Sequence, residues 1–212
     1  MEIRKIFLFT NLVLIAMGLS LIGFILKPFS AKAATHGVAL STDVQSYLAF
    51  DVTSGDSVAL GNLTPGTPIC SSTASVASVT TNAANGYTIG VSDSVAGTNS
   101  ALLHTDATTR IPDMTNGTVA TPVVWGTNIG LGVGLWAADT TKEAAWGAGT
   151  TVCDALNKYA AIPQNAATAH TVTGYVAGAD TSSWSWKIDV ANTQKTGAYS
   201  GSATFTATAV LS

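Results

Sequence analysis

Few side chains in this 212-residue chain are equipped for chemistry. Cys70 and Cys153 are its only cysteines, and no CxxC motif or histidine pair accompanies them, so their spacing fits no zinc site. An even pair in an exported chain points to a disulfide, with two separate buried thiols as the alternative. The three histidines, His36, His104 and His170, have no second His and no Glu at metal-binding spacing. HExxH and GxSxG are both absent. Gly130-Leu131-Gly132-Val133-Gly134-Leu135 starts like a phosphate loop, but Leu135 occupies the place of the last glycine and no Lys-Ser/Thr follows. It reads as a glycine-rich strand or loop. Asp51 and Asp56 flank a turn, and Asp93, Asp106 and Asp113 fall on loops, where aspartate normally accepts from backbone N–H groups. Scattered single carboxylates do not supply the several oxygens calcium needs, nor the facing pair a glycosidase needs. No catalytic, cofactor-binding or metal residue is expected, and no cofactor.

Two further chemistries deserve weighing. Exposed aromatics stack on sugar rings, and the chain has five tryptophans: Trp125, Trp136, Trp146, Trp184 and Trp186. Trp184 and Trp186 share a face with Ile188 and Val190, which marks them as core. Trp136 and Trp146 sit among glycines and alanines without clean alternation, so they are the candidates for stacking on a ligand. An isopeptide crosslink from Lys to Asn needs a buried, uncharged lysine. Lys187 alternates onto the polar face of its strand and Lys195 falls in a turn, so neither is placed for it.

The segments that must position these residues begin after an export leader. Arg4 and Lys5 precede an uncharged apolar run over residues 6–26, and Ala31-Lys32-Ala33 follows. Small residues at Ala31 and Ala33 suit signal peptidase, with cleavage after Ala33. The run is also long enough to span a bilayer, so a retained hydrophobic helix acting as an anchor is the alternative. Either way residues 34–212 are expected outside the cell, secreted or at its surface, as one domain. Only 10% of the residues are charged and mean hydropathy is +0.35. Five basic residues remain beyond the leader, too few for a phosphate-tracking stripe, so nucleic acid is not an expected partner.

Beyond the leader the dominant period is two. Val44, Leu48, Phe50 and Val52 share one face, as do Tyr87, Ile89 and Val91, and Leu131, Val133 and Leu135. Trp184, Trp186, Ile188 and Val190 oppose Ser185, Lys187 and Asp189. Near the end, Tyr199, Ala203, Phe205, Ala207, Ala209 and Leu211 oppose a Ser/Thr face. Asn85-Gly86, Asn116-Gly117 and Thr196-Gly197 read as turns. One stretch, residues 154–160, has a cap residue and helix formers, and residues 140–146 are a weaker helix candidate. The expected fold is all-β: an antiparallel β-sandwich of Greek-key or Ig-like kind, with an irregular central insertion over residues 125–169 containing a short helix.

Ser78-Val79-Thr80-Thr81-Asn82-Ala83-Ala84-Asn85-Gly86-Tyr87-Thr88-Ile89 resembles a segment of small secreted surface proteins of patescibacteria, the candidate phyla radiation. Trp125-Gly126 matches their mid-chain step, and Thr196-Gly197-Ala198-Tyr199-Ser200-Gly201, leading into a Thr-rich strand, matches their closing turn. The ending is also similar to WxL-type cell-wall-binding domains, although Phe205-Thr206-Ala207 stands in place of the Trp-x-Leu. The resemblance implies an exported cell-surface β-sandwich and supplies no activity.

The expected function is therefore a non-catalytic structural or adhesion protein of the bacterial envelope. Its partners would be envelope components or glycans, and the membrane only through residues 1–33 if these are retained. One alternative is a pilus-like or surface-filament subunit that self-assembles by strand addition, with residues 34–44 as a free donor segment. A second is a carbohydrate-binding module using Trp136 or Trp146.

Overall fold

The computed structural model describes residues 34–94 and 101–211. The expected leader helix, with Ala31 and Ala33, lies outside the described residues. The chain divides between Asp43 and Val44, and Val44–Ser212 is one compact unit. Residues 34–43 carry no regular secondary structure.

The described residues are nearly all strand or loop. The strands are β1 (Leu48–Ser54), β2 (Ile69–Cys70), β3 (Ser75–Thr81), β4 (Tyr87–Asp93), β5 (Leu102–His104), β6 (Arg110–Ile111) and β7 (Val123–Val124). They continue with β8 (Gly130–Ala138), β9 (Lys158–Ala161), β10 (Ala167–Val172), β11 (Ala179–Asp189), β12 (Tyr199–Ser200) and β13 (Ala203–Ala209). A seven-stranded sheet has the order β1-β3-β11-β8-β9-β7, with β2 also on β11. A second sheet is β10-β4-β13 and a third is β12-β5-β6. Every strand-to-strand pairing is antiparallel.

Period-two patterning explains the core. Trp184 and Ile188 of β11, Val133 and Leu135 of β8, and Ile89 and Val91 of β4 are each fully buried. Side chains from the seven-stranded sheet and from β10-β4-β13 meet in one apolar cluster. Phe205 of β13 closes on Trp184 and Trp186, with ring centroids 5.1 and 6.0 Å away. The Tyr87 hydroxyl, from β4, donates to Asp180 of β11 at 2.9 Å. Burial and this carboxylate hold the phenol well above its ordinary range.

The glycine run is strand β8. Gly132 and Gly134 alternate with the core residues and face the other way. There a small cluster of Met114, Trp125 and Tyr159 packs closely. A Cβ on Gly132 would sit 3.0 Å from the Met114 sulfur, and one on Gly134 would sit 2.7 Å from the Lys158 carbonyl. The glycines thus let a second layer approach the sheet, and no phosphate loop exists here. Asn85-Gly86 is a turn as expected, with Gly86 at φ +81° pressed against Val172.

The span 125–169 departs from the expected irregular insertion. It supplies β8 and β9 to the large sheet and begins β10. The alternation of Leu131, Val133 and Leu135 noted in the sequence is the core face of β8. Residues 154–160 are not a helix. The Asp154 carboxylate accepts from the N–H groups of Leu156 and Thr150, a local turn that competes with helix formation. Lys158 then enters β9, where Tyr159 packs on Trp125 and Ala160 joins the main core. In the weaker candidate only a single 3-10 turn forms, Ala144–Trp146. Cys70 and Cys153 form a disulfide with a Cα–Cα distance of 6.0 Å, which ties the turn before β9 to the sheet.

The closing turn has its own physical logic. Gly197 lies where a Cβ would collide with the His104 ring, and Gly201 lies where one would collide with the Ala101 carbonyl. The Tyr199 hydroxyl donates to the Lys195 carbonyl four residues upstream at 2.7 Å. This bond ties the start of β12 back to the turn before it.

Candidate functional site

The residues singled out from the sequence do not converge on one site. Trp146 is 1% exposed, donates Nε1 to the Ala169 carbonyl at 2.8 Å, and packs edge-on against Trp184. It is a core residue and presents no face to a ligand, which corrects the expectation of a stacking platform there. Trp136 is half-buried at the β-bulge where β8 slips register against β11. The bulge had broken the alternation around it. Trp184 and Trp186 are core, as their periodicity predicts.

The carboxylates divide into two kinds. Asp106 does turn work: it accepts from the Thr108 and Thr109 backbone and pairs with Lys195 at 2.9 Å, which hold it far below the carboxylate range. Asp93 ends β4 rather than lying on a loop. It and Asp113 are both buried. Burial, and then the charge of Asp93, raise Asp113 to about 7. His170, fully buried, meets Glu143 at 2.9 Å, and Glu143 also accepts from the Thr171 N–H. Burial opposes the charge on Glu143, but these bonds hold it below its ordinary value. The pair is 27 residues apart, so no local motif marks it. Lys187 does lie opposite the core face, yet the second layer covers it. Its ammonium is 5.6 Å from the Trp125 ring and 5.5 Å from the Tyr159 ring, and burial lowers its pKa. Among the described residues no group of three or more His, Cys, Asp or Glu side chains could hold a metal ion.

The feature best suited to binding is a cleft of about 920 Å³ opening on the main core. One wall is the loop from Gly55 to Pro65, with Val58, Leu60 and Leu63 turned toward the core. The other is the closing turn and the start of β13. Trp186, Ile188 and Phe205 form its floor. Its charged lining residues are Asp56 and Lys195, and Lys195 is already paired with Asp106. A wall of this kind has no acid–base pair to offer; it excludes water and buries apolar side chains.

The cleft reaches β1 at Val52 and β13 at Ala203 and Phe205. β1 pairs only with β3, and β13 pairs only with β4, so each is an edge strand. Core coverage fails along both. Leu48, Phe50 and Val52 of β1, and Ala203, Phe205, Ala207 and Ala209 of β13, are only half-buried. By contrast Tyr87, Ile89 and Val91 of the neighbouring β4 are at most 1% exposed. An edge that leaves apolar side chains and main-chain donors unpaired is a template for another strand. Sequence periodicity found both strands, but it could not show that they are edges. The signal for the cleft wall was faint: the spacing of Val58, Leu60 and Leu63 in a loop rich in turn residues.

No protein-family model matches this chain, no curated protein is similar to it, and no solved structure matches it.

Proposed function

We propose that the chain is an exported, non-catalytic β-sandwich component of the cell envelope that accepts an extended apolar strand between β1 and β13. The observation that carries this reading is the partly covered core along those two edge strands, together with a cleft that reaches Val52 of β1 and Ala203 and Phe205 of β13. The cluster shared by the two main sheets supports the sandwich arrangement. The leader over residues 1–33 and the Cys70–Cys153 disulfide support an oxidising compartment outside the cytosol. Strand addition is favoured over a stacking site because Trp146 is buried, while the free edges and the cleft lie together. Main-chain pairing would supply affinity, and the cleft would select the side chains.

Sedimentation across a range of concentrations tests the reading. The exported protein should grow in mass with concentration. A strict monomer up to millimolar concentration, with no capture of any extended apolar peptide, would contradict it.

A further inference from the structure

The strand-acceptor reading needs a donor, and within the free segment 34–44 the side-chain pattern narrows it to residues 38–44. Val38-Ala39-Leu40-Ser41-Thr42-Asp43-Val44 alternates, with Val38, Leu40, Thr42 and Val44 on one face and Ala39, Ser41 and Asp43 on the other. No regular secondary structure includes these residues. Val38, Leu40 and Val44 are 77%, 92% and 83% exposed. Three large apolar side chains this exposed, spaced by two or four residues, have the pattern of a strand whose core is elsewhere. The segment contains no proline or glycine and one charge. It is seven residues long, the same as β1 and as β13.

We propose that residues 38–44 of one copy add as a strand to the open edge between β1 and β13 of a second copy, turning Val38, Leu40 and Val44 into the uncovered core. This rests on the strand-acceptor reading. Each copy is then donor at one end and acceptor at its cleft. Such a head-to-tail contact is heterologous and builds a ring or an open filament rather than an isologous pair.

The test uses the full chain, exported and recovered from the host envelope, with and without Leu40→Asp. Leu40 lies outside the compact unit Val44–Ser212, so the variant changes none of its residues. The probe is a synthetic peptide of residues 34–46. The expected result is that Leu40→Asp weakens assembly by about tenfold or more, because a carboxylate must enter an apolar cleft. The variant should still bind the wild-type peptide and should not bind a peptide carrying the same change. If Leu40→Asp assembles like the unmodified chain, this inference is overturned, while concentration-dependent assembly leaves the acceptor reading standing. If the variant fails to assemble and also fails to bind the wild-type peptide, the inference is again overturned, because the segment then acts somewhere other than the cleft. If the unmodified chain neither assembles nor binds any extended peptide, the acceptor reading itself falls, and this inference with it.

Discussion

Removing the disulfide should cost stability on a scale set by the chain it encloses. Cys70 and Cys153 are 83 residues apart, and the enclosed segment includes β3 to β8. Constraining a loop of that length in the unfolded chain contributes about 4.5 kcal/mol at 25 °C. A domain of this size loses roughly 2–4 °C of melting temperature per kcal/mol, so the expected fall is about 9–18 °C. The paired substitution Cys70→Ser with Cys153→Ser leaves no reactive lone thiol. Packing losses should be small, since Cys153 is exposed and Cys70 only half-buried. Thermal unfolding followed by tryptophan fluorescence gives the readout. The folded-state spectrum should be little changed, because Trp146 and Trp184 are fixed by each other and by Ala169 rather than by the crosslink. A fall below about 4 °C would refute the loop-closure reasoning. So would a folded-state spectrum of water-exposed tryptophan.

Three other outcomes follow from particular contacts. Asp113, raised from 3.8 to about 7 by burial and by Asp93, keeps its proton in the folded chain after the unfolded chain has lost it. Its contribution therefore leaves stability intact below about pH 4, erodes it as pH rises toward 7, and levels off above that. Asp113→Asn should raise the melting temperature at pH 8 and change it little at pH 4; an equal change at both would reject the assignment. Gly134→Ala should destabilise the fold by about 1–3 kcal/mol in urea titration, because the new methyl group meets the Lys158 carbonyl at 2.7 Å and the Tyr159 ring at 3.1 Å. A neutral effect would mean that β9 can shift away from Gly134 without loss. Trp146→Ala should cost about 3–5 kcal/mol, and Trp136→Ala distinctly less, the order expected of a core and a half-buried indole.

Side-chain alternation made the strands legible. β1, β4, β11 and β13 each carry a period of two, and Asn85-Gly86 and Thr196-Gly197 mark turns before β4 and β12. The all-β class and the core roles of Trp184, Trp186 and Ile188 were therefore readable from the chain alone. β8 was only half legible. Its glycines belong to a packing relation with Met114, Trp125 and Tyr159, and those partners lie from 7 to 27 residues away. The helix expected at residues 154–160 shows the converse. Local propensity favoured it, but the Asp154 turn and the burial of Tyr159 and Ala160 won. The disulfide could be suspected from two exported cysteines, and the register of β2 on β11 then set Cys70 in place. The cleft was the least legible feature. Half-buried and fully buried strands share the same period, so whether Phe205 and Leu48 face a covered or an open core depends on strand order.

Amide hydrogen exchange along β13 tests the central claim most directly. In an edge strand every second N–H points away from its partner, and on β13 these point away from β4. If the open edge between β1 and β13 accepts a strand, those alternate amides of residues 203–209 should exchange more slowly as protein concentration rises, and the amides of β1 should follow. Exchange at the same fast rate at every concentration, beside an unchanged β4, would contradict the account.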